Sequence, residues 1–287
     1  MPPEREHTQA SQIVRLRRDD QEAVYQFLAT SPIENVAMMG MLLEEGLPGN
    51  GYREFVGYRV GGAWHAIACF SGDISLFATD DAAVDAIADY AMRRVPMIPR
   101  IIARKDVVDR YWQTLRRTPL PVQFDRRQLV YTLDPQDLRA APEPRMRLAR
   151  PDEAEQVARL ASAMSNEEIQ MDPYRDHPLS YLRLIEHRIR MQRYYVLEEG
   201  GRIKFQVHLN SITPYAGQIT GVYTPPEFRR QGYAQAGMGA FCRMALERVP
   251  KLCLFVNDFN KPAIALYESL GFKPMMEYRA VFMRAAY

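Results

Sequence analysis

The sequence predicts an α/β protein of two similar domains, each a mixed sheet with helices on both faces. Three observations support this prediction. A proline-rich segment divides the 287 residues into two halves. The two halves begin with stretches that align without a gap. Both then continue with the same order of strand and helix patterns, which indicates an internal duplication.

The dividing segment is DPQDLRAAPEPR, residues 134–145, and it contains three prolines among small and polar residues. Proline fixes its own φ and disfavours helical backbone at the residue before it, so the segment is predicted to be an extended linker. The predicted domains are therefore residues 1–133 and residues 146–287.

The aligned openings are VRLRRDDQEAVYQFL (14–28) and MRLARPDEAEQVARL (146–160), each a short strand, an acidic turn and a helix. Both halves then follow the order β-α-α-β-β-β-α-β-α-β. In the first half the later elements are predicted at 33–46, 53–60, 63–70, 74–79, 81–94, 98–103, 105–116 and 122–133. In the second half they are predicted at 178–191, 194–199, 202–209, 217–224, 231–248, 252–256 and 260–270, followed by a final extended segment.

Composition limits the class of protein. The chain is 47% hydrophobic and 25% charged, and it has no apolar run near the roughly 18 residues that a membrane-spanning helix needs. Its start, MPPEREHTQASQ, lacks the apolar core of a signal peptide. Cys69, Cys242 and Cys253 lie in apolar contexts and form no disulfide or zinc pattern. We expect a cytoplasmic protein with reduced, buried thiols, no membrane partner and no metal.

The net charge of +2 does not favour a nucleic-acid-binding surface. The densest basic stretch is HRIRMQRYY, residues 187–195. Arg183, His187 and Arg190 recur at helical spacing, which favours a solvated helix face. The alternative is a docking site for an acidic ligand or substrate.

A turn that opens a predicted helix, PPEFRRQGYA (225–234), is the main functional signal. The first backbone N–H groups of a helix lack partners and the helix dipole is positive there, so the position suits an anion. Gly232 and Ala234 remove bulk, and Arg229 and Arg230 add positive charge. The glycine spacing fits neither a Walker loop nor a dinucleotide-binding fingerprint. The alternative is an ordinary surface turn.

The turn reads Arg229-x-x-Gly232-x-Ala234, and about thirty residues later the chain reads NKPAIALYESLGF (260–272). With both motifs in this order, residues 146–287 resemble GNAT-type N-acetyltransferases. The whole chain resembles tandem GNAT proteins with a degenerate N-terminal copy. The resemblance implies that each domain is a mostly antiparallel twisted sheet flanked by helices. It also implies transfer of an acetyl or related acyl group from acyl-CoA to an amine.

The resemblance further assigns residues to the cofactor, acetyl-CoA. The backbone of Val222, Tyr223 and Thr224 is expected to pair with the pantetheine arm, and the N–H of Val222 is expected to stabilise the carbonyl oxygen. Asn260 is either the cap of its helix or a cofactor ligand. The pyrophosphate is expected at the turn, which comprises Arg229, Arg230, Gln231, Gly232, Tyr233 and Ala234.

Tyr267, in the second motif, is the candidate general acid that protonates the departing thiolate and a candidate cofactor contact. The alternative is a tyrosine packed at the edge of the core. Candidate general bases are Glu167 and Glu168, with Asp172 also possible, in SNEEIQMDPY (165–174). These acidic residues could instead be a plain surface loop, with water carrying the proton.

The N-terminal half has FATDDAAVD (78–86) where the second half has its arginine–glycine turn. Asp80 or Asp81 is expected to cap that helix and repel a pyrophosphate, so this half is predicted not to bind CoA. The competing function is a regulatory protein that holds CoA without turning it over. The acceptor, a small molecule or a protein, and the oligomeric state are not readable from the sequence.

Overall fold

The computed structural model describes residues 11–47, 53–94, 100–115 and 122–283. The chain divides into two compact units. The N-terminal unit comprises Met1–Leu129 with Met276–Tyr287, and the C-terminal unit comprises Val130–Met275.

The first half of the chain contributes six strands and four helices. They are β1 (Ser11–Arg15), α1 (Gln21–Leu28), α2 (Val36–Glu45), β2 (Glu54–Val60), β3 (Ala63–Phe70), β4 (Ile74–Ala78), α3 (Asp81–Arg94), β5 (Arg100–Arg104), α4 (Lys105–Leu115) and β6 (Val122–Leu133).

The second half repeats this order, with one additional short helix. Its elements are β7 (Met146–Leu148), α5 (Ala154–Ile169), α6 (Pro173–Asp176), α7 (Pro178–Arg190), β8 (Tyr194–Glu199), β9 (Arg202–Ile212), β10 (Gly217–Tyr223), α8 (Tyr233–Leu246), β11 (Leu252–Asn257), α9 (Lys261–Ser269) and β12 (Lys273–Met283). Every predicted element is present to within a few residues among those described, and α6 is the one that the sequence pattern missed.

The sheet of the N-terminal unit has the strand order β1-β2-β3-β4-β5-β12. Its pairs are antiparallel except for β4 with β5, which is parallel. One face packs on α3 and α4 through a core that includes Ile87, Val108 and Tyr111. The other face packs on α1 and α2 through residues such as Leu28 and Met39. Apolar positions of the amphipathic helices thus cover both faces of one sheet.

The sheet of the C-terminal unit has the order β6-β11-β10-β9-β8-β7. Again the pairs among β7, β8, β9 and β10 are antiparallel, and β10 with β11 is parallel. One face packs on α5 and α7 through buried residues such as Val157 and Ile185. Against the other face lies α8, where a Cβ at Gly237 would come within 2.4 Å of the Phe205 ring. Glycine at that position therefore lets α8 approach the sheet closely.

The compact units differ from the predicted domains at their ends. From Met276 onward the last strand pairs with β5 and belongs to the N-terminal unit, with Tyr278 opposite Arg104 and Phe282 opposite Arg100. Conversely, the end of β6 belongs to the C-terminal unit. Sequence order placed β6 and β12 with their own halves, whereas in the structure the end of β6 lies in the C-terminal unit and most of β12 lies in the N-terminal unit.

The proline-rich linker is held against the C-terminal unit. The Arg139 amide donates to the Leu270 carbonyl at 3.0 Å, and Arg243 on α8 donates to the Ala140 carbonyl at 2.5 Å. A short 3-10 turn, Pro135–Asp137, begins the segment. The rest of the segment, to residue 145, forms neither helix nor strand. These hydrogen bonds satisfy part of its polar backbone.

Candidate active site

The parallel pair β10 and β11 separates part-way along its length. The two strands pair from Gly217, which is opposite Leu252, to Ile219, which is opposite Leu254. Both strands continue beyond this point, β10 to Tyr223 and β11 to Asn257, but no further pairs join them in this described part of the chain. The edge of β10 after Ile219 is therefore an open strand edge inside the sheet, and an extended ligand can pair with it.

A β-bulge lies on the same part of β10. Thr220 is opposite His208 and Tyr223 is opposite Gln206, so three steps along β10 match two along β9. Gly221, in the bulge, has a φ of +66°, and a Cβ there would come within 2.4 Å of His208 Nδ1. A bulge leaves its extra residue outside the ladder and re-aims the neighbouring backbone. This is the position at which the Val222 N–H was predicted to act.

The turn between β10 and α8 contains residues with positive φ, a backbone conformation that favours glycine. Gly232 is the N-cap residue of α8, with a φ of +87°, and Arg230 has a φ of +59°. No side chain caps the helix, and a Cβ at Gly232 would meet nothing within 4 Å. The first N–H groups of α8 thus face open space, which is the arrangement that an anion at a helix start requires.

Arg229 does not extend freely into that space. Its Nε donates to the Thr224 carbonyl at 2.9 Å, and its Nη2 pairs with Glu167 Oε2 at 2.7 Å. The other Glu167 oxygen accepts from the Tyr223 hydroxyl at 2.7 Å. Arg229 is therefore tied to α5 and β10, where it fixes the path of the turn. Glu167, predicted as a possible base, is engaged in the same network.

Other predicted cofactor residues also have partners within the unit. Gln231 Nε2 donates to the Glu227 carbonyl at 2.9 Å, and the Tyr233 hydroxyl donates to Glu199. The Asn260 side chain accepts from the Ala263 amide at 3.3 Å and caps α9, which matches the capping alternative. The side chains therefore shape the turn, and none of them caps the backbone N–H groups at the start of α8.

Tyr267 lies on α9 and is buried, 6% exposed, with its ring 5.8 Å from that of Phe272. Burial raises the pKa of its phenol well above the usual value, and the negative charge of Glu168 adds to this effect. The phenol therefore stays protonated through the physiological pH range. It is a proton donor rather than a base, and the raised pKa makes it a weaker acid than a free phenol.

Glu168 and Asp172 differ in their surroundings. Glu168 is exposed at the end of α5 and acts electrostatically on Tyr267, which lies on α9. Asp172 accepts from Ser162 Oγ at 2.6 Å and caps the short helix α6 through the Arg175 amide at 3.1 Å. Of the two, Glu168 is thus the one whose charge acts on Tyr267.

Two features were missed by sequence reasoning. Tyr111 on α4 occupies the same place after Lys105 as Tyr267 does after Lys261, a match that aligning the two Lys-x5-Tyr segments finds. His208, on β9, is buried against the bulge. No motif marks it, because only the strand register brings it there.

The basic stretch 187–195 divides between surface and interior. Arg183, His187 and Arg190 are exposed on α7, as the solvated-face interpretation predicted. Arg188 instead is only partly exposed and contacts His208 Nε2 at 3.4 Å.

Comparison with known proteins identifies this unit. Residues 157–272 match the model of the Acetyltransferase (GNAT) family. This part of the chain belongs to the GNAT family. No curated protein matches the chain significantly.

Similar solved structures extend over nearly the whole chain. A Drosophila protein has a TM-score of 0.71 at 13% identity, covering 96% of this chain and 99% of its own. A GNAT acetyltransferase from Colwellia psychrerythraea has a TM-score of 0.62 at 10% identity, covering 96% and 100%. A tandem GNAT protein from the clavulanic acid pathway has a TM-score of 0.58 at 15% identity, covering 97% and 100%. The predicted fold, with two GNAT-like domains, is confirmed.

Three further findings concern the described residues. Cys69, Cys242 and Cys253 are free and buried, as predicted. Within the described ranges no group of three His, Cys, Asp or Glu side chains could hold a metal ion. Nor does any helix there combine the length and apolar character that crossing a membrane requires.

Proposed function

We propose that the C-terminal unit is an N-acyltransferase, which moves an acetyl or similar acyl group from acyl-CoA to an amine by direct attack. One observation carries the proposal: the open edge of β10 is followed, after the turn that ends at Gly232, by the uncapped start of α8. An extended arm that ends in a pyrophosphate matches this sequence of a strand edge followed by an anion site.

The residues present fit acyl-CoA. The space beside Gly232 is open, so phosphate oxygens can approach the N–H groups of Gly232, Tyr233 and Ala234. Thr224 Oγ1 is buried without a hydrogen-bond partner at the end of β10, where a ligand group would satisfy it. Acyl-CoA supplies the activated acyl group. The residues of the chain hold this acyl group in position.

The chemistry requires stabilisation of the carbonyl oxygen and proton management. The Val222 N–H, in the bulge of β10, is the proposed donor to the developing oxyanion. Tyr267 is the proposed donor to the leaving thiolate, and its raised pKa keeps the proton in place until the thiolate forms. Glu168, exposed at the end of α5, is the proposed acceptor of the amine proton, directly or through water.

The N-terminal unit is proposed not to bind acyl-CoA. The Asp80 carboxylate occupies the start of α3, where its Oδ1 accepts from the Ala83 amide at 2.8 Å. A negative charge at this position repels a phosphate and uses an N–H group that would bind one.

The test combines binding with turnover. Calorimetric titration with acetyl-CoA should give one molecule per chain, and thiol release should occur when amines are added. A stoichiometry of two contradicts the inactive N-terminal unit. Binding of acetyl-CoA without thiol release from any amine in a broad panel contradicts catalysis and supports the regulatory alternative.

A further inference from the structure

A cluster of buried polar side chains in the C-terminal unit has no role in the chemistry proposed so far. Gln206 and His208 are two residues apart on β9, so their side chains share one face of the sheet. Thr220 on β10 is opposite His208, and Arg188 approaches from α7. This is the face that α5 and α7 cover.

The hydrogen bonds of His208 determine its tautomer. Its Nε2 lies 2.9 Å from Thr220 Oγ1 and 3.4 Å from Arg188 Nη1. A guanidinium can only donate, so Nε2 accepts and the proton of the neutral ring is on Nδ1. Burial, with the charges of Arg188 and Arg193, holds the pKa of His208 well below its usual value, so the ring is neutral.

The Nδ1–H of His208 is a buried donor without a partner. It lies against the bulge of β10, since a Cβ at Gly221 would come within 2.4 Å of Nδ1. The donor therefore faces the same stretch of β10 at which the acyl group is proposed to bind. A buried donor without a partner is unfavourable, so a ligand that accepts from it is favoured.

Gln206 likewise has buried hydrogen-bonding groups without partners. It is fully buried, and neither its amide nitrogen nor its amide oxygen has a hydrogen-bond partner. It stands opposite Tyr223 on β10, at the other end of the bulge. Two neighbouring positions on one face of β9 thus present unused hydrogen-bonding groups beside one bulge.

Arg188 adds an uncompensated charge to this cluster. Its contacts are His208 and Tyr194, and no carboxylate pairs with its guanidinium among the residues that the structure describes. Asp172 acts electrostatically on Tyr181 and accepts a hydrogen bond from Ser162. A partly buried cation with no counterion favours an anionic ligand, and a guanidinium matches a carboxylate in shape.

We propose that the acceptor is an amine that also carries a carboxylate, and that Arg188 pairs with this carboxylate while His208 Nδ1–H and the Gln206 amide donate hydrogen bonds to the same molecule. Amino acids are the simplest members of this class. The inference rests on the proposed acyl transfer, because it assigns the acceptor side of that site.

The test uses the common L-amino acids and their carboxamides, which differ only in whether the carboxylate is present. Thiol release is measured at saturating acetyl-CoA for wild type, Arg188→Gln and the control Arg190→Gln, which changes an exposed residue of the same helix. We expect at least one amino acid to react with a KM at least about tenfold below that of its carboxamide. Arg188→Gln should remove this difference. Arg190→Gln should leave it within about twofold.

A second readout does not depend on turnover. Calorimetric titration of the CoA-loaded protein with the same amino acids should show binding that Arg188→Gln abolishes and Arg190→Gln retains. If carboxamides react as well as the acids, or if Arg188→Gln raises KM equally for both, the carboxylate assignment is wrong although acyl transfer stands. If amino acids bind through Arg188 but no amine is acetylated, acyl transfer is wrong. If no amino acid binds or reacts, the assignment is overturned.

Discussion

Helices α3 and α8 follow corresponding strands of the two units, yet they begin in opposite ways. At α3 the Asp80 carboxylate accepts from the Ala83 amide and contacts His65 Nδ1 at 2.7 Å. At α8 the cap is Gly232, without a side chain, and space beside it is open. One fold thus provides a helix start with a negatively charged cap in one copy and a helix start without a side-chain cap in the other.

The strands before these helices differ in the same sense. In β4 the last residues, 76–78, are all buried, and the pairing with β3 is regular. In β10 residues 220–222 are partly exposed, and the pairing with β9 contains a bulge. The end of this strand is therefore buried in the N-terminal copy and partly exposed in the C-terminal copy. The duplicated fold therefore does not by itself provide a site.

The largest expected effect is on turnover, and it distinguishes Tyr267 on α9 from Tyr111 at the corresponding place on α4. Tyr267→Phe keeps the ring and removes the proposed proton donor, so turnover at saturating acetyl-CoA and amine should fall by about 10²–10⁴-fold. Acetyl-CoA affinity should change little. Tyr111→Phe is the control, since that hydroxyl is buried without a partner in the N-terminal unit and turnover should stay within about twofold. A near-normal rate for Tyr267→Phe with a lower melting temperature would make Tyr267 a packing residue.

A second substitution tests the open helix start. Gly232→Val places a branched side chain where the phosphates are proposed to bind, so Kd for acetyl-CoA should rise at least about tenfold, or about 1.4 kcal/mol. Gly62→Val is matched, because Gly62 has a φ of +90° and equally open surroundings in the N-terminal unit. Both variants carry a similar backbone strain of about 1–2 kcal/mol, measured by thermal melts. Equal affinities for the two variants contradict the pyrophosphate assignment.

The smallest expected effect is on the free energy of unfolding, through the Asp80 cap of α3. Asp80→Ala should lower the free energy of unfolding by about 1 kcal/mol at neutral pH and leave acetyl-CoA binding unchanged. Burial alone raises the pKa of Asp80, but hydrogen bonds from His65 and the Ala83 amide outweigh it and lower the pKa. The stabilisation is therefore present above the unfolded-state pKa of about 4 and is lost as the pH falls through the lower folded value.

Denaturant melts of wild type and Asp80→Ala at pH 7 and pH 3 measure this difference. The gap between them should narrow at pH 3. A gap that stays constant with pH means that the carboxylate charge does not stabilise α3.

The sequence predicted the order of elements and the location of the turn because both depend on local patterns. Apolar periodicity marked the strands and helices, and Gly232 after two arginines marked a helix start. Asp80 was recognisable as a cap for the same reason, since capping involves residues only three apart. Two motifs about thirty residues apart were enough to indicate the GNAT family.

Tertiary structure determined the features that local sequence patterns do not predict. The pairing of β12 with β5, the separation of β10 from β11 and the bulge at Gly221 all depend on strand register between distant segments. The ion pair between Glu167 and Arg229, which are 62 positions apart, also depends on how α5 packs near the turn. Likewise His208 becomes a buried donor only where β9 and β10 meet, because long-range packing, and not sequence spacing, determines which polar groups lose their water.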